Sequence, residues 1–295
     1  MGVTIKSCVC CGSSDLDANP ALWMPFVSDR ALGIPPLRIT PDLGLRSIPV
    51  GTSYALCKSL HCRRCGHLFT NYRFDEEEMQ RLYIDYRGEA YTDLRESYEP
   101  GYTYQNNALE QGHHYTKVVE EFLVDLIGGK SISILDWGGD TGKNTPFARV
   151  AEVLHLYEPS GIQPEIDGAR NVSQPEDFQP SYALLVLSNV LEHLPFPGQT
   201  LDVLTSYMDQ ESILYIEVPF EGLQQAADAG NACRAKPIEK KWHWHEHINF
   251  FSRKSLNLLI EASGFHIIKS ASTTVSRGSS NVSSSMILQV ACRKA

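Results

Sequence analysis

Short apolar runs alternate with amphipathic segments through the last two-thirds of the chain, which predicts strands separated by helices. Helical spacing of apolar residues is found at 118–127, 199–208 and 255–263. Runs typical of buried strands lie at 133–137, 154–157, 184–187, 213–219, 265–268 and 286–290. This order predicts an α/β fold with a Rossmann-like, doubly wound, mostly parallel sheet that ends in a reversed C-terminal hairpin.

The N-terminal part has a different pattern. Residues 12–61 are rich in proline and glycine, which predicts loops and short strands. Residues 75–87 are helical in pattern, with Asp75 as a capping residue and tyrosines following closely. We therefore predict a small domain over 1–74, a helical, tyrosine-rich linker over 75–112 and the main domain over 113–295. A serine-rich stretch at 276–285 is predicted to be a mobile loop inside the last hairpin.

Composition and charge narrow the class of protein. The chain has 295 residues, of which 42% are hydrophobic and 21% charged, as in ordinary globular proteins. A formal net charge of −9 disfavours a nucleic-acid partner, because such proteins need a cationic surface. No apolar run reaches the ~18 residues of a membrane span. The N-terminus resembles neither a signal peptide nor a myristoylation signal, so a cytoplasmic location without membrane attachment is expected.

Two cysteine motifs stand at the ends of the N-terminal region. Cys8-x-x-Cys11-Gly12 is matched by Cys62-x-x-Cys65-Gly66, out of eight cysteines in all. In a reducing compartment, two such motifs indicate tetrahedral zinc before disulfides. We predict a structural Zn²⁺ on these four thiolates in a zinc-ribbon-like domain. The alternative is a cluster of buried or free thiols, and Cys10 and Cys57 leave the pairing ambiguous.

A glycine-rich turn follows the run at 133–137, leads into a segment predicted to start a helix, and is the first candidate ligand site. Its spacing fits neither the Gly-x-Gly-x-x-Gly of dinucleotide sites nor a Walker A loop, so NAD and ATP are disfavoured. Its Asp-x-Gly-x-x-x-Gly pattern resembles motif I of class I S-adenosylmethionine (SAM) methyltransferases, with Asp140 where a glycine is commonest. The resemblance implies that SAM is bound by Asp136, Trp137, Gly138, Gly139, Asp140 and Gly142.

Two further stretches fall where that family has its later motifs. Glu158 and Pro159 end the next apolar run, and a carboxylate there can accept hydrogen bonds from both ribose hydroxyls. Ser188 and Asn189 follow the third run and lead into Leu191-Glu192-His193, which resembles motif IV. The resemblance adds these residues to the SAM site, and the third run is expected to break into a turn and then a helix.

The segment 241–252 contains His243, His245 and His247. If it is extended, the three imidazoles share one face and could bind a metal. They could also be packed under the neighbouring tryptophans. The third interpretation is a general base, since methyl transfer needs a group near neutrality to take the proton of the acceptor.

The third interpretation is supported by a resemblance to bacterial NDP-sugar C-methyltransferases. The shared features are Glu-His-x-x-Phe-Phe-Ser before a helix, a four-cysteine zinc domain and Tyr-x-x-Tyr ahead of the SAM domain. The resemblance implies His247 as base, Glu246 as its neighbour, and Tyr83 and Tyr86 as hydroxyls on the substrate side. That family has a further C-terminal sugar-nucleotide domain, which is expected to be missing here.

The leading hypothesis is a SAM-dependent methyltransferase that acts on carbon or oxygen of a small-molecule acceptor, such as a sugar or sugar nucleotide. A zinc-ribbon RNA methyltransferase is an alternative, although the net charge and the missing Asn-Pro-Pro-Tyr motif after Leu187 argue against it. A non-catalytic, zinc-stabilised SAM-binding module is the third. The sequence leaves the oligomeric state open.

Overall fold

The computed structural model describes residues 1–104, 106, 115–128, 132–220, 241–276 and 284–295. Its largest feature is a seven-stranded sheet. The strands are β8 (Ile132–Trp137), β9 (Ala151–Tyr157), β10 (Arg170–Asn171), β11 (Leu184–Ser188), β12 (Ile213–Pro219), β15 (Phe265–Ser276) and β16 (Ser284–Lys294). Their order is β10-β9-β8-β11-β12-β16-β15, in which β16 pairs antiparallel with both β12 and β15 and the other described pairs are parallel. The predicted mostly parallel sheet with a reversed C-terminal hairpin is confirmed.

The chain leaves β8 in one direction through β9 and β10 and in the other through β11 and β12. The carboxyl ends of β8 and β11 therefore meet at the point where the strand order reverses, which is where doubly wound sheets bind ligands. Both faces of β8 are covered, because Ile134 and Leu135 are fully buried in separate apolar clusters. The central strands thus form a rigid base for the loops at this edge.

Three helices accompany this sheet in the described ranges: α4 (Thr116–Ile127), α5 (Pro197–Thr205) and α6 (Arg253–Ala262). The prediction of a helix directly after the glycine turn is wrong, because residues 138–150 form turns. Phe147 has a positive φ of 60° and donates its N–H to Glu120 of α4 at 2.7 Å, so no helical hydrogen bond forms there. Residues 189–195 also form turns, and α5 begins only at Pro197.

The N-terminal part contains a five-stranded sheet with the order β13-β2-β5-β6-β14. Its strands are β2 (Leu16–Trp23), β5 (Leu56–Cys62), β6 (Leu68–Thr70), β13 (His243–Trp244) and β14 (Asn249–Phe250). Two of them come from the histidine-containing segment that follows β12. The N-terminal sheet and the central sheet are therefore joined by chain segments that lie far apart in sequence.

The described helices of this part include α1 (Pro25–Leu32), α2 (Glu76–Tyr83) and α3 (Glu89–Tyr98). Helix α1 and the eight-residue strand β2 lie within 12–61, where loops and short strands were predicted. In addition, β1 (Val3–Thr4) pairs with β7 (Tyr72–Arg73) and β3 (Leu37–Ile39) with β4 (Gly51–Ser53). Asp75 caps α2 in a capping box. The helix ends before Arg87, earlier than predicted, because Asp85 and Arg87 have positive φ.

Some sequence predictions fall partly outside the described residues, namely the loop within 276–285 and part of the linker at 75–112. Among the helices that are described, none has the length and apolar character needed to cross a bilayer.

Candidate functional site

The loop after β8 has a backbone path that depends on glycine. Gly138 and Gly142 both have φ of 80°, which side chains rarely adopt. A Cβ on Gly138 would lie 2.7 Å from Cγ2 of Val190, so the loop also packs closely against the turn after β11. Trp137, the last residue of β8, stacks on Tyr157 at 3.9 Å between ring centroids. The loop is therefore held against the ends of both neighbouring strands.

Asp136 is a buried carboxylic acid directly beneath this loop. It accepts a hydrogen bond from Thr145 Oγ1 at 2.5 Å, and a Cβ on Gly139 would lie 2.9 Å from its Cγ. Burial and the nearby charges of Glu158 and Asp140 outweigh the Thr145 bond and raise the pKa of Asp136 to about 7. A cation bound at the loop would favour the charged form of this group.

The raised pKa predicts a stability effect. Between the unfolded pKa of 3.8 and the folded value of about 7, the native state binds more protons, so the unfolding free energy of the wild type falls as pH rises. We expect Asp136→Asn to be more stable than the wild type by up to about 4 kcal/mol at pH 8 and to lose that advantage toward pH 4. Asp125→Asn, at a side chain 82% exposed, is the control. Denaturant unfolding across this pH range that shows a pH-independent difference for Asp136→Asn contradicts the assignment.

Glu158 stands at the end of β9, beside the loop. Its Oε2 accepts from the backbone N–H of Asp140 at 3.1 Å and its Oε1 from the N–H of Ser160 at 3.0 Å. Each carboxylate oxygen has a further lone pair. The backbone thus fixes an acceptor with capacity for a pair of ligand hydroxyls.

The end of β11 is organised around Glu217, which the sequence analysis missed. Glu217 is fully buried, and its carboxylate accepts from Asn189 Nδ2, the Tyr115 hydroxyl and the Tyr215 hydroxyl at 2.7–2.9 Å. These bonds hold Asn189, whose φ is 54°, next to Ser188 at the edge of the sheet. A lone acid in the otherwise apolar run Ile213–Pro219 was the signal that could have identified it.

The end of α2 with the chain just after it, the turn after β11 and the segment after β13 bring together two tyrosines and two histidines. The Tyr83 hydroxyl lies 2.8 Å from Nδ1 of His193, and the rings of His193 and His247 are 4.6 Å apart at 85°. Burial, then the charge of His247, lowers the pKa of His193 to about 3, so it is neutral at pH 7. Burial raises the pKa of Tyr86 to about 12 and that of Tyr83 well above 10, so both phenols stay protonated. His193 was quoted in the motif but given no role.

Glu246, predicted as the neighbour of the base, is anchored by contacts with α3. Its carboxylate accepts from the Tyr91 hydroxyl at 2.6 Å and forms an ion pair with Arg95 of α3. Burial alone would raise the pKa of Glu246, but the charges of Arg95, His245 and His193 lower it to about 2. Glu246 therefore fixes the chain before His247 to α3.

The three histidines of this segment do not form one metal site in the described part of the chain. His243 is exposed, and His245 pairs with Glu99. His247 instead groups with Glu192 and His193, and their potential ligand atoms lie within 4.8 Å of one another. Because β13 spans only His243–Trp244, the chain is not extended far enough to align all three imidazoles.

One cavity of about 550 Å³ connects these two groups of residues. The predicted site residues that line it are Asp136, Gly138, Gly139, Asp140, Glu158, Pro159, Ser188, Asn189, Tyr83, Tyr86, Glu246 and His247. Trp137 and Gly142 were also predicted and are not among the lining residues; Gly142 packs on Leu156 instead. Residues at the carboxyl edge of the sheet and the histidine pair thus line one space.

The two cysteine motifs also come together. Cys8 Sγ lies 3.6 Å from Cys65 Sγ, Cys11 Sγ lies 3.6 Å from Cys62 Sγ, and all four lie within 4.8 Å of one another. Zn–S bonds of about 2.3 Å in a tetrahedron place sulfurs about 3.8 Å apart, so this donor set fits zinc. Ser252, which caps α6, donates its hydroxyl to the carbonyl of Cys65 at 2.7 Å. Cys10 and Cys57 are not members of the group.

Residues 110–270 match a family model described as a methyltransferase domain. Solved structures similar in fold include the 1,6-didemethyltoxoflavin-N1-methyltransferase of Burkholderia thailandensis, with 16% identity, a TM-score of 0.46 and coverage of 68% of this chain and 87% of that one. The magnesium protoporphyrin IX methyltransferase of Synechocystis has 16% identity, a TM-score of 0.38 and coverage of 61% and 82%. No curated protein matches by sequence. Since the family model spans more than half of the chain, the protein belongs to the methyltransferase-domain family.

Proposed function

We propose that this protein transfers a methyl group from SAM to a carbon or oxygen atom of a small hydroxylated acceptor, with His247 as general base. The observation that carries the proposal is the single cavity of about 550 Å³. Glu158 and the glycine loop line it, and so do His193 and His247. A methyl donor at the loop and an acceptor at the histidines would meet within this cavity.

The cofactor side fits SAM by its chemistry. Glu158 is fixed by two backbone amides and can accept from ribose hydroxyls. Asp136 and Asp140 supply carboxyl groups beside the loop, and a positively charged cofactor stabilises their ionised forms. When bound, SAM would supply an electrophilic methyl group. The protein's own residues have to orient that group and take a proton from the acceptor.

On the acceptor side, His247 suits the role of base better than His193 does. With its pKa lowered to about 3, His193 is a weak proton acceptor at neutral pH. Its contact with the Tyr83 hydroxyl gives it a positioning role beside the half-buried His247. Tyr83 and Tyr86 stay protonated and can donate hydrogen bonds to acceptor oxygens.

A sugar or sugar nucleotide is the proposed acceptor class, from the resemblance to NDP-sugar C-methyltransferases and from this mixture of phenol, imidazole and carboxylate groups. The formal net charge of −9 weighs against the RNA alternative. The non-catalytic module predicts SAM binding without turnover on any acceptor. Radiolabelled SAM with a panel of nucleotide sugars and with RNA separates these three functions.

The same proposal includes a structural zinc ion held by Cys8, Cys11, Cys62 and Cys65, whose sulfur spacing fits a tetrahedral site. Through Ser252 this group contacts the start of α6, so the metal would support the segment that carries His247 as well as the N-terminal sheet.

Removal of the Glu158 carboxylate tests the cofactor side. We expect Glu158→Ala to weaken SAM binding by about 10- to 100-fold, because hydrogen bonds to a charged group contribute roughly 1.5–3 kcal/mol each. Glu165→Ala is the matched control, since that carboxylate is 51% exposed and pairs with Lys143. Calorimetry that gives an unchanged SAM affinity for Glu158→Ala, or a preference of the wild type for NAD, overturns the proposal.

A divalent cation at Glu192, His193 and His247 is a second candidate for the acceptor side, favoured by the grouping of their ligand atoms. Such an ion would be held by these three residues, would supply Lewis-acid chemistry to the acceptor, and would occupy His247 as a ligand. Turnover that is abolished by a chelator and restored by Mg²⁺ or Mn²⁺ supports this candidate. Turnover that persists in the chelator supports the general base.

A further inference from the structure

Asp140 takes the place where the methyltransferase motif most often has a glycine, and it forms an ion pair with Arg87. Arg87 Nη1 donates to Asp140 Oδ2 at 2.8 Å. Both residues have positive φ, 62° for Arg87 and 52° for Asp140. Such backbone strain persists only where the surrounding structure fixes it, and it is common at ligand clamps. The pair joins the chain just after α2 to the glycine loop.

Arg87 and Asp140 each have a polar atom that makes no hydrogen bond to the described residues. Arg87 Nε and Asp140 Oδ1 are buried and have no hydrogen-bond partner in the described part of the chain. The two side chains are 20% and 24% exposed, and both line the large cavity as well as an adjoining one of about 330 Å³. Buried polar atoms without partners cost free energy, so a ligand that supplies an acceptor and a donor here is favoured.

We propose that Arg87 and Asp140 together bind the amino-acid end of SAM, with Arg87 on the α-carboxylate and Asp140 on the α-ammonium group. Those opposite charges are attached to one carbon atom, so they match two side chains that lie in contact. Asp140 also donates its N–H to Glu158 Oε2, which places the pair next to the expected ribose position. The inference rests on the proposed function, because it requires SAM at the glycine loop.

Arginine is the suitable residue for this task. Its planar guanidinium group binds a carboxylate through two parallel N–H bonds, which an ammonium group does not do. Lys143 is the other cation of the adjoining cavity, but its side chain is 42% exposed and pairs with Glu165. Arg87 therefore carries the recognition, and Asp140 both orients it and contributes the negative charge.

The first experiment uses the unaltered protein and four ligands. By calorimetry, SAM is expected to bind at least 10-fold more tightly than decarboxylated SAM, which keeps the sulfonium and amino groups but has no carboxylate. S-adenosylhomocysteine is expected to bind more tightly than 5′-methylthioadenosine, which lacks the amino-acid end, by a similar factor. Equal affinities within each pair overturn the inference and leave the proposed function intact. Binding of none of the four ligands overturns the proposed function itself.

The second experiment assigns the effect to Arg87. Arg87→Met is expected to weaken the binding of S-adenosylhomocysteine by about 10- to 100-fold and to change the affinity for 5′-methylthioadenosine by less than about threefold. The affinity of Arg87→Lys for S-adenosylhomocysteine is expected to lie between those of the wild type and Arg87→Met. Asp140→Asn is expected to show the same selective loss of S-adenosylhomocysteine binding. Lys143→Met removes one positive charge nearby and is expected to leave the affinity for both ligands unchanged. Equal losses for both ligands in Arg87→Met indicate a structural role and contradict the inference; if that variant does not fold, Arg87→Lys and the four-ligand comparison decide.

Discussion

His247→Ala is expected to lower kcat by about 10²- to 10⁴-fold while SAM affinity stays near that of the wild type. The factor is the usual contribution of a general base. The two effects separate because the proposal places SAM at the glycine loop and Glu158, and His247, which lines the same cavity, belongs to a different segment of the chain. The measurement is methyl transfer from labelled SAM to the acceptor that the sugar-nucleotide panel identifies, together with calorimetry of SAM binding.

Its matched control lies four residues earlier on the same segment. His243 is exposed on β13 and does not line the cavity, so His243→Ala is expected to keep wild-type activity. If His247→Ala loses SAM affinity as strongly as it loses kcat, the role of His247 is structural and not that of a base. Equal losses of activity in both histidine variants contradict the general base.

Cys62→Ser is expected to abolish stoichiometric zinc binding and to cost several kcal/mol of stability. Structural zinc contributes on the order of 10 kcal/mol in small zinc domains, which is comparable with the whole stability of a typical domain. Cys62 is fully buried, and its Sγ lies 3.6 Å from Cys11 Sγ. Its replacement by serine would leave the zinc ion with three thiolate ligands. Elemental analysis of the purified protein and thermal unfolding give the two readouts.

Cys57→Ser provides the comparison, because Cys57 lies on the same strand, β5, and is not part of the four-cysteine group. We expect it to keep one zinc per chain. Full metal retention in Cys62→Ser rejects the zinc assignment, as does a wild-type protein that purifies without zinc and unfolds at the same temperature with and without a chelator.

The central sheet was predictable because its strands carry strong local signals. The central parallel strands β8, β11 and β12 are mostly buried, so each appears in the sequence as a largely apolar run, as in Leu184–Ser188. The glycine positions were also predictable, since the turn needs a φ of 80° at Gly138 and Gly142, which side chains rarely adopt. These features depend on residues close together in the chain.

The N-terminal sheet was not predictable in the same way. Strands β13 and β14 have two residues each, which is too short to show any alternation of apolar and polar positions. The helix expected after the glycine turn fails because Thr145 and Phe147 bond to Asp136 and Glu120 instead of to a helical turn. Tertiary contacts of this kind override local propensity.

The site shows the same division. The individual residues of the glycine loop and Glu158 could be identified from motifs, whereas the pairing of Tyr83 with His193 joins residues 110 positions apart. The role of Glu217 depends on three donors from different elements. Without a set of related sequences, nothing local indicates which distant side chains share a cavity.

Methyl transfer from SAM at the glycine loop, with His247 as base, is best tested by a structure of the protein with S-adenosylhomocysteine and a nucleotide sugar. We expect the ribose hydroxyls to bind Glu158 and the sulfur atom to face the acceptor. We also expect His247 within hydrogen-bond reach of the acceptor, directly or through one water molecule. A cofactor bound away from the glycine loop, or a His247 side chain turned away from the acceptor, would contradict the proposal.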